Sequence, residues 1–396
     1  MDFTPTEEQQ AARELAARIF GDLATHERLA AAGTGTDAEL WKALCAAGLP
    51  EAVEETGLLG LVLLAEEQGR TTAQVPFTAS MAYGLLAVAR HGTEEQRARL
   101  LPGLRDGTTV MTGAFPAAEG AAAVRASAIR AGAGGLARAD ARAGDGDASV
   151  RAGADARAGR GDGALPDSAV RAGARGRGRL TGTVAWVPWL RDATHVLVPD
   201  EERRLWLVRR EDAGPVEAVE LTAPWSAGRL VLDGTPAEPL GGPGPEAYEE
   251  VLAAARIAFA GLQAGVCAGS LARAVAYTSE REQFGRPLSS NQAVQLRAAD
   301  AYMDTESIRL TAYEAAWRYD RALPCAEHAL TAAWWASEAG KRVVHAGQHL
   351  HGGMGADLDH PVHRHFLWGR QLDAYLGCGT ELLAELGDLL AKGQPA

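Results

Sequence analysis

The chain has 396 residues and carries 39 Lys+Arg against 51 Asp+Glu, a formal charge of −12. That length predicts two or three domains. The acidic balance argues against a sequence-independent nucleic-acid binder, whose phosphate contacts need a basic face. Four scattered cysteines, Cys45, Cys267, Cys325 and Cys378, make neither a disulfide framework nor a zinc site. The opening MDFTPTEEQQ lacks a secretory pattern and no run of 18 uncharged apolar residues occurs, so the expectation is a cytoplasmic protein with reduced thiols that does not span a membrane.

Residues 1–109 read as helical. EEQQAARELAARIF has the amphipathic period and is preceded by the cap residue Thr6. DAELWKALCAAG repeats the period and ends at Gly48, LLGLVLLAEEQGR is apolar enough to be buried, and TEEQRARLLPGL starts at the cap Thr93. Over residues 117–178 the composition collapses to 22 Ala, 13 Gly, 10 Arg and 6 Asp with no aromatic residue. Too few large apolar side chains remain to offset the ordering entropy, which predicts a disordered insertion at about 118–165; a basic tether is the rival reading. From Arg179 to Gly242, RLTGTVAWVP, THVLVP, RRLWLVRR, VEAVEL and GRLVLDG are short strand-like runs broken by Gly, Pro and Asp. Four long helical segments follow, at 246–279, 289–322, 325–348 and about 360–392, with Pro287, Pro324 and Pro361 at the breaks. The reading is α+β: an N-terminal helical domain (1–109), a middle β-barrel or sandwich domain (110–242) and a C-terminal four-helix bundle (246–396).

Two stretches carry chemistry. In YTSEREQFGRPLSSNQAVQ (277–295), Arg281 precedes a helix break and suits a bidentate grip on phosphate. Phe284 is placed to cover an adenine or pack between helices, and Gln292 to bond a base edge. In HLHGGMG (349–355), Gly352 and Gly353 let backbone approach a ligand. Taken alone, the same residues also read as an ordinary helix corner and a simple turn. Six of the ten histidines lie between His345 and His365, yet only Asp357 and Asp359 accompany them in ligand register, so no metal site is assigned. Trp334 and Trp335 are expected to pack the bundle. Cys378 has no acid–base partner nearby in sequence and is read as a small core or near-cofactor residue.

Together the two stretches, the opening FTPTEEQQ and the HGGMG…HPVHR ending resemble the acyl-CoA dehydrogenase family over nearly the whole chain except the insertion. The resemblance implies an FAD-dependent oxidoreductase that desaturates an acyl-CoA thioester, with two subunits sharing each FAD and an electron-transfer flavoprotein as electron acceptor. It further implies that Arg281, Phe284, Gln292, His349, Gly352 and Gly353 contact the adenosine-diphosphate half of a neighbouring subunit's FAD. His349 stands where the family has glutamine.

The departures are as informative. The family's catalytic glutamate falls at Leu376, and the alternative base position, before the arginine matching Arg256, is Ala255. Neither accepts a proton. Asp373, Glu381 and Glu385 are the nearby carboxylates. The family's flavin-wall segments appear here as Trp186-Val187-Pro188 and Ala114-Phe115-Pro116, without their hydroxyl donors. The half-site for the chain's own flavin is eroded while the half-site for a neighbour's is retained. That pattern resembles the base-lacking subunit of actinobacterial heterotetrameric (α2β2) acyl-CoA dehydrogenases of sterol side-chain catabolism. The assembly is then either that of two different dehydrogenase-like subunits or a homo-oligomer. Three functional classes follow: a subunit that completes a second subunit's FAD site, a self-sufficient flavoenzyme with a displaced base, and a non-catalytic scaffold that has lost FAD.

Overall fold

The computed structural model describes residues 3–115, 125–128 and 178–393. Helix α1 (Glu7–Leu23) opens on a capping box: the Thr6 hydroxyl accepts the Gln9 N–H while the Gln9 side chain accepts the Thr6 N–H. Helices α2 (His26–Ala32) and α3 (Ala38–Ala46, capped by Asp37) lead to the apolar α4 (Leu49–Thr71). Within α4, Gly57 turns to φ 75°, and a new helix end begins there. Its orphan N–H groups, those of Leu58 and Leu59, donate to the Asp320 carboxylate at 2.7 and 2.9 Å. The cap thus comes from a residue 262 positions away rather than from the helix's own sequence. Asp320→Ala should cost about 0.5–2 kcal/mol in chemical denaturation, the range for losing a helix N-cap acceptor; an unchanged midpoint would show that water replaces it. The N-terminal unit closes with α5 (Phe77–Ala79), a π-helical turn (Ser80–Leu86), α6 (Ala87–His91) and α7 (Glu94–Asp106), the last opened by a Thr93–Gln96 capping box.

The middle unit is one curled seven-stranded sheet ordered β1-β4-β5-β7-β3-β2, with β6 also on β7. Its strands are β1 (Met111–Gly113), β2 (Arg125–Ala128), β3 (Gly178–Val187), β4 (His195–Pro199), β5 (Leu205–Arg209), β6 (Glu217–Ala218) and β7 (Gly228–Leu240). Among the described strands of this sheet, only β1 and β4 run parallel. The long β7 pairs with β5 through Glu238–Leu240 and with β3 through most of its remainder, so it carries the bend over a core of Leu180, Val196, Trp206 and Leu230. Strand β2 corrects the sequence reading: Arg125–Ala128 lie inside the stretch assigned to the insertion, yet pair antiparallel with Gly178–Thr181. The other residues of that stretch lie outside the described residues.

The C-terminal unit contains α8 (Glu246–Glu280), a hairpin of β8 (Glu282–Gln283) and β9 (Arg286–Pro287), α9 (Gln292–Asp320), α10 (Ala326–Leu350), α11 (Pro361–Leu372) and α12 (Gly379–Gly393). The segment read as one helix over 360–392 is therefore two. The chain breaks at 373–378, where Gly377 takes φ 112° and the Glu381 carboxylate accepts the Cys378 N–H. Helix α8 packs on α4 with backbone nearly touching backbone. A methyl on Gly265 would lie 2.0 Å from the Glu66 carbonyl oxygen, and one on Gly269 2.3 Å from that of Arg70. Trp334 and Trp335 meet edge to face within the bundle, as expected.

Candidate functional site

Because α8, α9 and α10 are packed neighbours that alternate in direction, the end of α8, the start of α9 and the end of α10 share one end of the bundle. Arg281 is the α8 C-cap, its N–H donating to the Tyr277 carbonyl at 2.8 Å. The Leu288 N–H closes the corner on the Arg281 carbonyl at 2.9 Å. Tyr277 in turn stacks on His351 at 4.9 Å, which ties the α8 end to the glycine turn after α10. The turn is held by the Gln348 amide donating to the Gly355 carbonyl.

Within this frame the residues selected from the sequence converge. Phe284 sits at φ 55° and is 99% exposed, so it packs between no helices of this chain. A bulky residue in the left-handed region costs on the order of 1 kcal/mol, and here the strain presents an apolar ring to the outside. The Arg281 guanidinium and the Gln292 amide have no partner among the described residues. A methyl added to Gly353 would meet nothing within 4 Å. His349 is exposed on the last turn of α10. An unpaired cation, a free amide, an uncovered ring and an open glycine turn suit a heteroaromatic group joined to a diphosphate.

The second constellation lies at the break between α11 and α12. Leu376 is buried, and Arg256 reaches its carbonyl at 3.4 Å while gripping Glu385 at 2.9 and 2.6 Å. Ala255, next to Arg256, is fully buried. Leu376 and Ala255, the two positions that the resemblance assigns to a base, thus lie beside one arginine, and both are apolar. The three carboxylates singled out from the sequence are all engaged. Asp373 accepts the Ser337 hydroxyl at 2.7 Å and pairs with Arg370 at 2.8 Å, Glu381 caps Cys378, and Glu385 holds Arg256. Cys378 is half-buried rather than a core residue, its sulfur 3.2 Å from the Thr380 hydroxyl.

Leu376 lines an open cavity of about 550 Å³ together with Arg256, Tyr248 and Glu249, and sequence reasoning missed the aromatic cluster that packs around its neighbour Tyr375. The Tyr375 ring contacts Phe259 at 4.7 Å, Trp186 at 5.8 Å and Trp225 at 5.9 Å. Its hydroxyl meets that of Tyr83 at 2.9 Å, and Tyr83 stacks on Phe115. Phe115 stacks in turn on Tyr248, and Trp225 meets Trp368 edge to face. Burial pushes both paired tyrosine hydroxyls above their usual range. A hydroxyl does approach Pro188, that of Thr112, but it donates to the Pro188 carbonyl at 2.6 Å and is thereby used inside the protein.

A family model described as the N-terminal domain of acyl-CoA dehydrogenase matches residues 6–108, and one described as its C-terminal domain matches residues 242–385. Acyl-CoA dehydrogenase FadE27 of Mycobacterium tuberculosis is 33% identical over 418 residues, covering 99% of each chain. The chain belongs to the acyl-CoA dehydrogenase family. Among solved structures, a chain of a variant of the Tcur3481-Tcur3483 steroid ACAD is similar at 37% identity and TM-score 0.80, covering 98% of both chains. A chain of the ChsE4-ChsE5 complex from Mycobacterium tuberculosis is similar at 30% identity and TM-score 0.81, covering all of both.

Acyl-CoA dehydrogenases are flavoproteins in general, and the residues here fit a flavin dinucleotide unevenly. Around Tyr375 they offer a flavin ring no free hydroxyl: those of Tyr375 and Tyr83 bond each other, and that of Thr112 donates to the Pro188 carbonyl. At the bundle end they fit the other half of the cofactor, since Arg281, Gln292 and Phe284 are all unsatisfied among the described residues.

Proposed function

We propose that this chain is the base-lacking subunit of a two-subunit acyl-CoA dehydrogenase. It completes an FAD site whose flavin ring and catalytic carboxylate belong to the second subunit. Arg281, Phe284, Gln292, His349, Gly352 and Gly353 hold the adenosine-diphosphate half of that FAD. The observation that carries this reading is the asymmetry between the aromatic filling around Tyr375 and the unpaired groups around Arg281. The likeness to chains of heteromeric complexes, one of them a steroid ACAD, supports the partner assignment and favours a sterol-derived acyl-CoA as substrate. When bound in the partner, the flavin accepts the β-hydride, and an electron-transfer flavoprotein takes the electrons onward. This chain's own contribution is binding and orientation at the far end of the cofactor.

General-base catalysis is worth about 10²–10⁴-fold. Without that base the isolated chain should show only background dye reduction with a panel of acyl-CoAs, and with its own flavin-wall hydroxyls missing it should show no flavin absorbance near 450 nm. Co-expression with a second acyl-CoA dehydrogenase chain should bring both. Stoichiometric FAD and turnover in the isolated chain would overturn the reading. Leu376→Glu alone should not restore activity, because the aromatic filling remains.

A further inference from the structure

The two halves of the candidate site follow different helices. Arg281 and Phe284 come after α8, whereas Gly352 and Gly353 come after α10. All four residues are exposed, and the β8–β9 hairpin that carries Phe284 pairs only with itself. Their own surroundings therefore do little to fix one half relative to the other.

One contact does. The Tyr277 ring, in the last turn of α8, stacks on the His351 ring at 4.9 Å with 21° between the planes. No other hydrogen bond, ion pair or ring contact among the described residues joins 277–288 to 347–356. His351 is well placed to serve as the fixed side of the pair. It is 2% exposed, and its Nδ1 donates to the Gly347 carbonyl at 2.7 Å. Its ring also lies 5.0 Å from that of His360, the N-cap of α11, so two helices hold the imidazole before it meets Tyr277. From there the chain leads directly to both halves of the site. The Tyr277 carbonyl accepts the Arg281 N–H at 2.8 Å, and Gly352 follows His351 at φ 61°. A bidentate guanidinium contact depends on orientation as well as distance, and binding groups have to be held to within about 0.5 Å.

We propose that Tyr277 and His351 are positioning residues: their stacked rings set the spacing between the Arg281 corner and the Gly352–Gly353 turn, so that both reach one diphosphate-bearing ligand at once. The inference rests on the trans-site reading above. Neither ring contacts the cofactor; both act through Arg281 and the turn.

The test uses the co-purified two-subunit complex, with released FAD followed by its fluorescence. Tyr277→Leu, which removes one ring and keeps an apolar side chain, should raise the apparent FAD dissociation constant about two- to tenfold, the affinity equivalent of an aromatic pair. Tyr277→Phe should retain FAD like the wild type, because no hydrogen bond holds the Tyr277 hydroxyl among the described residues. The double variant Tyr277→Leu/Arg281→Ala separates positioning from ordinary packing. It should bind FAD within about twofold of Arg281→Ala alone, since effects of independent sites would multiply and coupled ones do not. Full multiplication, or wild-type retention in Tyr277→Leu, overturns the proposal. If Tyr277→Leu does not assemble with the second subunit, His351→Leu removes the other ring and is read in the same way. Arg281→Ala alone distinguishes the two levels. If it loses FAD while the ring variants keep it, the trans site stands and the positioning role falls. If it retains FAD, the trans-site reading falls and this inference with it.

Discussion

Gly265→Ala is expected to lower the stability of the folded chain by about 2–4 kcal/mol, at the upper end for a single added methyl. The added carbon would lie 2.0 Å from the Glu66 carbonyl oxygen and within 2.8 Å of two further Glu66 backbone atoms. No side-chain rotation relieves such a clash, because the obstacle is the backbone of α4. Relief requires α4 and α8 to separate, which loosens the packing of Val62 and Leu262 along the whole contact. Glu66 would move with it. That carboxylate is fully buried and held by Arg13 at 3.1 Å and Arg309 at 3.2 Å, so a shift of α4 strains a desolvated ion pair as well. Urea denaturation of the purified chain measures the loss. Gly353→Ala is the control, with no atom in reach of the new methyl and an expected change within about 0.5 kcal/mol. Equal midpoints for the two variants would show that the helices part without cost.

Arg281→Ala should weaken FAD retention in the two-subunit complex by about tenfold or more. A charge-assisted hydrogen bond contributes about 1.5–3 kcal/mol, and about 1.4 kcal/mol is one decade of affinity. Folding should be indifferent to the change. The guanidinium has no partner among the described residues, and the corner is closed by the backbone atoms of Arg281, which alanine keeps. Flavin content of co-purified wild-type and mutant complexes, with the subunit ratio read from a gel, is the measurement. Stoichiometric FAD in the mutant makes Arg281 a plain corner residue. Separation of the subunits assigns it to the interface and withdraws the cofactor role.

Signals in the sequence are legible where the chemistry is local. Thr6 and Thr93 cap their helices because hydroxyl and N–H lie within three residues of one another. The five strand-like runs all contain strands, because alternation and turn residues act over short range. The misreadings share a cause. The cap of the helix that starts after Gly57 is not legible, because its carboxylate comes from α9. Arg125–Ala128 form a strand only because β3 supplies an edge. The break at 373–378 interrupts a pattern that stays helical on both sides. At the candidate site, motif spacing selects Arg281 and Gly353, which the structure finds without a side-chain partner and without a close neighbour, respectively. The filling around Tyr375 is not legible, because its rings come from well-separated stretches that no periodicity connects.

That filling also decides how the folded chain responds to cofactor supply. A protein that binds its ligand internally gains stability from it by mass action, so its folded fraction tracks the free ligand concentration. Here Tyr375, Trp225, Trp368 and Tyr83 occupy the interior with side chains that the chain always carries. On the function proposed above, this chain holds no flavin ring of its own, so its folded fraction does not track flavin concentration. On that same reading, a shortage of FAD is felt in assembly, at the exposed corner of Arg281 and Phe284, rather than in folding.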